Sequence, residues 1–143
     1  MIDNKKFRLI GFGEKDINMP NPFNASIDNF DIEIHPYIGY TEDGRIIKIQ
    51  LEITYSQNGK AILNYGTALS YLVEQKYDIS ETIGFKNLCI KLLEESIKFS
   101  RGSLSTYLKG GPMKRLFLPY IPASDLYEDA NVHKIEKEEH HKS

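Results

Sequence analysis

The stretch "IIKIQLEITYSQNGKAILNYGTALSYLV", residues 46–73, decides the fold. Its first ten residues alternate between apolar and polar side chains, which predicts a strand with one buried and one solvated face. The dipeptide Asn58-Gly59 then favours a tight hairpin turn, so the chain is expected to return as a second antiparallel strand. The apolar face of the first strand comprises Ile47, Ile49, Leu51, Ile53 and Tyr55.

Two further strands are predicted on the N-terminal side of this hairpin. The segment "NFDIEIHPYIGY", residues 29–40, also alternates, and Asp43-Gly44 in the following "TEDGR" suits another tight turn. In "KFRLIGFGEKDINM", residues 6–19, Phe7 and Leu9 alternate with Arg8 and Ile10. The glycines of the "GFG" that follows indicate a bulge or bend, because a phosphate-binding loop would need to lie between a strand and a helix.

The hydrophobic period changes from strand to helix at residue 78. "DISE", residues 78–81, has the pattern of a capping box, and the following helix is expected either to end at Ser100 or to be interrupted near Gly102 and resume to Leu108. "KGGP" predicts its end, and "ASDLYEDANVHKI" predicts a short second helix starting at Ser124 or Asp125. The apolar stripe of the long helix comprises Phe85, Leu88, Cys89, Leu92, Leu93 and Ile97.

Strands followed by helices predict an α+β fold. We expect a four-stranded antiparallel sheet with a long helix and a short C-terminal helix packed on one face. The expected organisation is a single domain over residues 1–130 and a charged, disordered tail over residues 131–143, where no apolar partner residues occur.

Composition argues against several classes of protein. Charged residues make up 27% of the 143 residues and the net charge is -2, which is unlike the basic surface of a nucleic-acid binder. No apolar run reaches the roughly 20 residues that a membrane helix needs, and no secretory signal is evident at the N-terminus. A single cysteine excludes an internal disulfide. The sequence therefore predicts a cytoplasmic protein that neither binds nucleic acid nor inserts into a membrane.

No group of residues predicts catalysis. Cys89 lies on the apolar stripe of the long helix, so a buried structural thiol is favoured over a nucleophile. His35 precedes a proline within a predicted strand, and His140-His141 in the tail lacks further fixed metal ligands. We therefore expect no enzyme activity, no cofactor and no metal site.

The segment "LFLPYIP", residues 116–122, carries large apolar side chains, but its two prolines exclude a helix interior or a central strand. One interpretation is a covering segment packed on the core. The other is an apolar groove that binds extended polypeptide through side-chain pockets and sheet-edge hydrogen bonds.

The order of these features resembles the SecB family of bacterial export chaperones. The similarity lies in four strands, a long helix ending near "SRG", the proline-bearing "RLFLPYIP", a helix starting at "ASDLY", and "EKDINMPNP" in the first strand. It extends over roughly residues 6–128.

The resemblance implies a holdase that needs no ATP, binds unfolded or nascent polypeptide, and assembles as a homo-oligomer, either a tetramer or a dimer. Its clients would be proteins for export, or one dedicated client such as an antitoxin. The client-binding residues that it implies are Leu104, Met113, Leu116, Phe117, Tyr120, Ile121 and Leu126.

The acidic patch through which the family docks to the SecA motor is present only in part. Asp16 matches its first carboxylate, but Pro20 occupies the next position, and the family's Leu-x-Glu becomes Leu63, Asn64 and Tyr65. Asp16 and Leu63 are therefore the partner-docking residues that the resemblance retains.

A different class of function stays open beside the chaperone. Helix-on-sheet domains with apolar clefts also serve as small-ligand binders or as structural assembly proteins. In an assembly protein, "LFLPYIP" would be buried between subunits.

Overall fold

A five-stranded mixed sheet carries two helices on one face. The computed structural model describes residues 7–19, 30–74, 82–109 and 117–135. The sheet order is β1-β4-β3-β2-β5; the first four strands are antiparallel to their neighbours, and β5 runs parallel to β2. The elements are β1 (Phe7–Asn18), β2 (Asp31–Tyr40), β3 (Ile46–Gln57), β4 (Lys60–Val73), α1 (Thr82–Leu108), α2 (Ala123–Glu128) and β5 (Asn131–Lys134).

Strand β3 lies at the centre of the sheet, and its predicted apolar face is buried against the helices. All five of its predicted core side chains are at most 1% exposed. Both predicted turns are confirmed, because Asn58 and Gly59 have φ values of 53° and 76° and Gly44 has a φ of 72°. Positive φ at both central residues is the conformation that a type I′ hairpin turn requires.

Three pairs of hydroxyl groups join β4 to α1 across the sheet–helix interface. Their α1 members are serines spaced by four and three residues, so they lie on one face of the helix. Buried hydroxyls must be hydrogen-bonded, and the pairs therefore restrict how α1 can lie on the sheet. We call this set the hydroxyl row. It comprises Tyr71 with Ser96 at 2.9 Å, Thr67 with Ser100 at 2.9 Å, and Tyr65 with Ser103 at 2.6 Å.

The fifth strand corrects the sequence prediction. Residues 131–134 were assigned to the end of the second helix and to the disordered tail, but they form β5. The second helix begins at Ala123 and ends at Glu128, because the backbone N–H of Asp129 closes its last turn by bonding Leu126 O. The chain then pairs with the outer edge of β2, whose backbone groups satisfy those of β5.

The bulge predicted in β1 occurs at Ile10. Leu9 pairs with Tyr71 and Gly11 with Ser70, so the register shifts by one residue between them. As a result, the residues on the helix face change from odd to even numbers along β1, and Phe12 and Glu14 face α1.

Helix α1 runs without interruption through Gly102 to Leu108. The helix therefore reaches the more distant of the two expected end points, but the interruption expected near Gly102 does not occur. The predicted capping box at residues 78–81, the "GGP" of residues 110–112 and the tail from residue 136 lie outside the described residues.

Alanine at two glycines should affect the free energy of unfolding in opposite directions. At Gly59 an added Cβ meets no atom within 4 Å, so Gly59→Ala should destabilise by about 1 kcal/mol through the positive φ alone. At Gly102, within α1 and equally open, Gly102→Ala should stabilise by about 0.5–1 kcal/mol. Urea unfolding monitored by circular dichroism measures both. Equal effects at the two positions would contradict the turn assignment.

Candidate functional site

The segment Phe117–Pro122 crosses the core without regular structure, and its backbone is fixed by side chains of the core and of α1. We call it the strap. The Tyr55 hydroxyl donates to Phe117 O at 2.9 Å, and the Arg101 guanidinium donates to Leu118 O at 2.8 Å and to Pro119 O at 2.9 Å. These bonds satisfy three successive carbonyl groups that neither a helix nor a strand would satisfy.

The strap presents its side chains to two sides. Leu118 is 3% exposed and packs in the core, whereas Phe117 is 59% exposed and Tyr120 is 82% exposed. The two sequence interpretations of "LFLPYIP" therefore apply to different residues of the same segment. One side chain covers the core, and two large aromatic side chains lie at the surface.

Phe30 connects the strap to the sheet. Its ring lies 5.6 Å from that of Tyr55 and 5.8 Å from that of Phe117, the latter pair edge to face. Burial raises the pKa of Tyr55, with Arg101 acting to lower it, so the phenol stays protonated and can donate to the strap. Phe30 immediately precedes β2, and the strap therefore lies beside the start of that strand.

Within the described residues, β5 occupies only part of the outer edge of β2. β5 pairs with residues 37–40, and no strand of the described chain pairs with the outer side of residues 31–36. An open edge presents backbone groups to which an extended peptide can add as a further strand. We call Phe30, Phe117, Tyr120 and this open edge the aromatic edge surface.

The predicted client-binding residues separate into surface and core. Phe117 and Tyr120 are exposed and Ile121 is half-buried, whereas Leu104 and Leu126 are 1% and 6% exposed and belong to the hydrophobic core. Met113 and Leu116 lie outside the described residues.

The docking patch that the SecB resemblance implied is corrected at Leu63. This side chain is fully buried and pairs across the sheet with Tyr55, so it offers no surface to a partner. Asp16 lies within β1, and the position of its side chain is outside what the structure describes.

A second cluster joins β1 to α1 and was missed by sequence reasoning. The Glu14 carboxylate accepts hydrogen bonds from Ser103 and from Tyr107 at 2.7 Å. The Tyr65 hydroxyl lies 2.6 Å from both Glu14 and Ser103 Oγ and shares its one proton between these two acceptors. Burial acts to raise the pKa of Glu14, but these three bonds together bring the pKa below its ordinary value of 4.5. The bulge at Ile10 places Glu14 on this face, and the alternation of the sequence gave no sign of that change.

Exposed apolar side chains accompany this cluster along β1. Leu9, Ile10 and Phe12 are 43–48% exposed, and the ring of Phe12 lies 4.4 Å from that of Phe99 on α1. No strand of the described chain pairs with the outer edge of β1.

The thiol of Cys89 is fully buried in the core, and burial raises its pKa to about 12. A protonated, inaccessible thiol is a poor nucleophile. Within residues 7–19, 30–74, 82–109 and 117–135, no group of three His, Cys, Asp or Glu side chains could hold a metal ion. Among the described helices, none has the length and apolar content needed to cross a membrane.

Comparison with known proteins gives similarities of structure but none of sequence. No protein-family model matches the chain, and no curated protein matches it. A similar solved structure is that of the SecB-like chaperone Rv1957 of Mycobacterium tuberculosis, in complex with a ChAD peptide from the antitoxin HigA1, Rv1956. The TM-score is 0.49 and the identity 11%, over 82% of this chain and 92% of that chain. At this level of similarity, function has to be argued from the residues of this chain.

Replacement of Arg101 by methionine should release the strap. Arg101→Met keeps much of the aliphatic stem but removes both donors to the strap carbonyls, so we expect a loss of about 1–3 kcal/mol in unfolding free energy. Hydrogen exchange should accelerate in residues 117–122. Lys98→Met is the matched control, because Lys98 is exposed and its Nζ atom makes only a long contact, 3.8 Å, with the carboxylate of the half-buried Glu95. Similar losses for the two variants would contradict the role of Arg101.

Glu14 should contribute a stability that depends on pH. Its pKa is lowered in the folded state, so the contribution is fully present above the unfolded value near 4.5 and is lost as the pH falls through the folded value. The difference in unfolding free energy between wild type and Glu14→Gln should thus be constant above about pH 5.5 and shrink below about pH 4.5. Glu94→Gln, at an exposed position of α1, is the control. A difference that stays constant down to pH 3 would contradict the assignment.

Proposed function

We propose that this protein is a holdase that binds unfolded or extended polypeptide on the aromatic edge surface without nucleotide or cofactor. The observation that carries the proposal is the strap. Phe117 and Tyr120 are exposed although the backbone beneath them is fixed by Tyr55 and Arg101. A fixed backbone with outward aromatic side chains offers apolar contact at little further cost in conformational entropy.

The open edge of β2 supports the same proposal. Main-chain hydrogen bonds to a sheet edge do not depend on the side chains of the client, whereas aromatic contacts accept many apolar residues. Phe30 brings the two together, because it precedes β2 and contacts Phe117. This combination suits broad recognition of unfolded chains.

The SecB resemblance suggests the clients and the partners. We propose cytoplasmic clients, which are either proteins destined for export or one dedicated client such as an antitoxin. Docking to SecA through the family's patch is disfavoured, since Leu63 is buried and Pro20 and Tyr65 replace two of its carboxylates. A dedicated client would need no such patch.

We further propose that the protein forms homo-oligomers through β1. Unpaired edges promote association between chains, and the exposed Leu9, Ile10 and Phe12 would be shielded by a second copy. A dimer or a tetramer would accommodate this contact.

Removal of the two exposed strap aromatics should abolish holdase activity while leaving the fold intact. The assay is light scattering of a chemically unfolded client diluted into buffer with an equimolar amount of this protein and no nucleotide. Wild type should suppress aggregation. The double variant Phe117→Ser with Tyr120→Ser should lose most of this suppression, because it lacks the aromatic contacts proposed to bind the client. It should stay folded, because both side chains lie at the surface.

The matched control is Met19→Ser, which removes a 47% exposed apolar side chain outside the strap, the β2 edge and the proposed β1 contact. It should retain suppression. If wild type leaves the aggregation of the client unaltered, the proposed holdase function is rejected, and a small-ligand binder or an assembly protein is favoured. Loss of the oligomer in the strap variant, measured by size-exclusion chromatography with light scattering, would instead place the strap in a subunit interface.

A further inference from the structure

Strand β5 occupies part of the β2 edge although very little of it is buried. Its four side chains are all exposed, and even Val132 is 38% exposed. The strand is held by backbone pairing with residues 37–40 and by the N–H of Ile135, which donates to Tyr40 O at 2.8 Å. With so little apolar area buried, β5 is weakly attached compared with the strands of the core.

Gly39 gives this edge a preference for particular side chains. A Cβ at position 39 would lie 3.0 Å from the Cγ1 atom of Ile135 and 3.3 Å from the Nε2 atom of His133. The absence of a side chain therefore lets an apolar residue of the adjoining strand lie directly over the β2 backbone. The way β5 packs indicates which segments the β2 edge can bind. Such a segment is extended, runs parallel to β2 and has an apolar residue at the position of Ile135.

We propose that β5 is a built-in competitor for the β2 edge and that a segment of bound polypeptide displaces it. That the displacing segment belongs to an extended polypeptide client rests on the proposed function. Displacement of β5 would lengthen the open edge from residues 31–36 to residues 31–40 and give the client a continuous strand on which to pair. Resting protein would keep the distal part of the edge covered, which also limits edge-to-edge aggregation.

The test weakens β5 at its contact with β2. Ile135→Pro removes the N–H that bonds Tyr40 O, together with the side chain over Gly39. Val132→Pro is the matched control, because alternate residues of a strand face opposite edges and the N–H of Val132 points away from β2. Both substitutions are made in the full chain.

The probe is a fluorescently labelled synthetic peptide with the chain's own sequence ANVHKIE, residues 130–136, and binding is measured by anisotropy. The peptide should bind Ile135→Pro at least about tenfold more tightly than it binds wild type or Val132→Pro, because an intramolecular strand competes at a high effective concentration. A peptide with aspartate at the isoleucine position should bind more weakly. Equal affinity for the three proteins, or no binding to Ile135→Pro up to about 1 mM, would overturn the proposal.

Hydrogen exchange on wild type tests the same idea without a variant. Addition of an unfolded client should accelerate exchange of the amides of His133 and Ile135 while those of β2 stay protected. Unchanged protection of β5 with client bound would also overturn the proposal. Peptide exchange without holdase activity would reject the proposed function alone, and holdase activity without strand exchange would reject only the role of β5.

Discussion

The hydroxyl row between β4 and α1 is the constraint on which the rest of the structure depends. Apolar packing alone tolerates a helix displaced along a sheet, but a shift of α1 by one turn would leave buried hydroxyls without partners, at about 1–3 kcal/mol for each. The row therefore fixes α1 in one position. Arg101 directly follows Ser100 of the row, and this position brings its guanidinium to the carbonyl groups of the strap. The exposed aromatic residues are thus positioned, through α1, by the interior of the sheet–helix interface.

The parts of the fold with strong periodicity could be predicted from the sequence. The alternation of β3, the two glycine turns and the apolar stripe of α1 each reflect a repeating burial pattern. β5 could not be predicted, because Asn131–Lys134 is short, mostly polar and exposed, and its pairing depends on the β2 edge rather than on its own residues. The bulge at Ile10 was anticipated from the glycines, but its effect on which residues face α1 required the register.

The site was predictable as a segment and less so as individual residues. An irregular backbone has no side-chain period, so the sequence could not separate Leu118, Leu104 and Leu126 in the core from Phe117 and Tyr120 at the surface. Hydrogen bonds to the strap's carbonyl groups fix its backbone and so determine which of its side chains face the core and which face the surface. The donors of these bonds are distant in sequence. The two sheet edges also differ. β1 carries exposed apolar side chains, whereas β2 borders the strap and is partly covered by β5.

The position of Cys89 has a consequence for the opening of the core. It is the only cysteine of the chain, and its thiol is fully enclosed where α1 packs on the sheet. An alkylating reagent can reach it only when that interface separates, so the rate of its modification reports how often the helix leaves the sheet. Cys89 is thus a built-in probe of local opening at the interface between α1 and the sheet. A second thiol introduced at the surface could carry a spectroscopic label without competition from the native one.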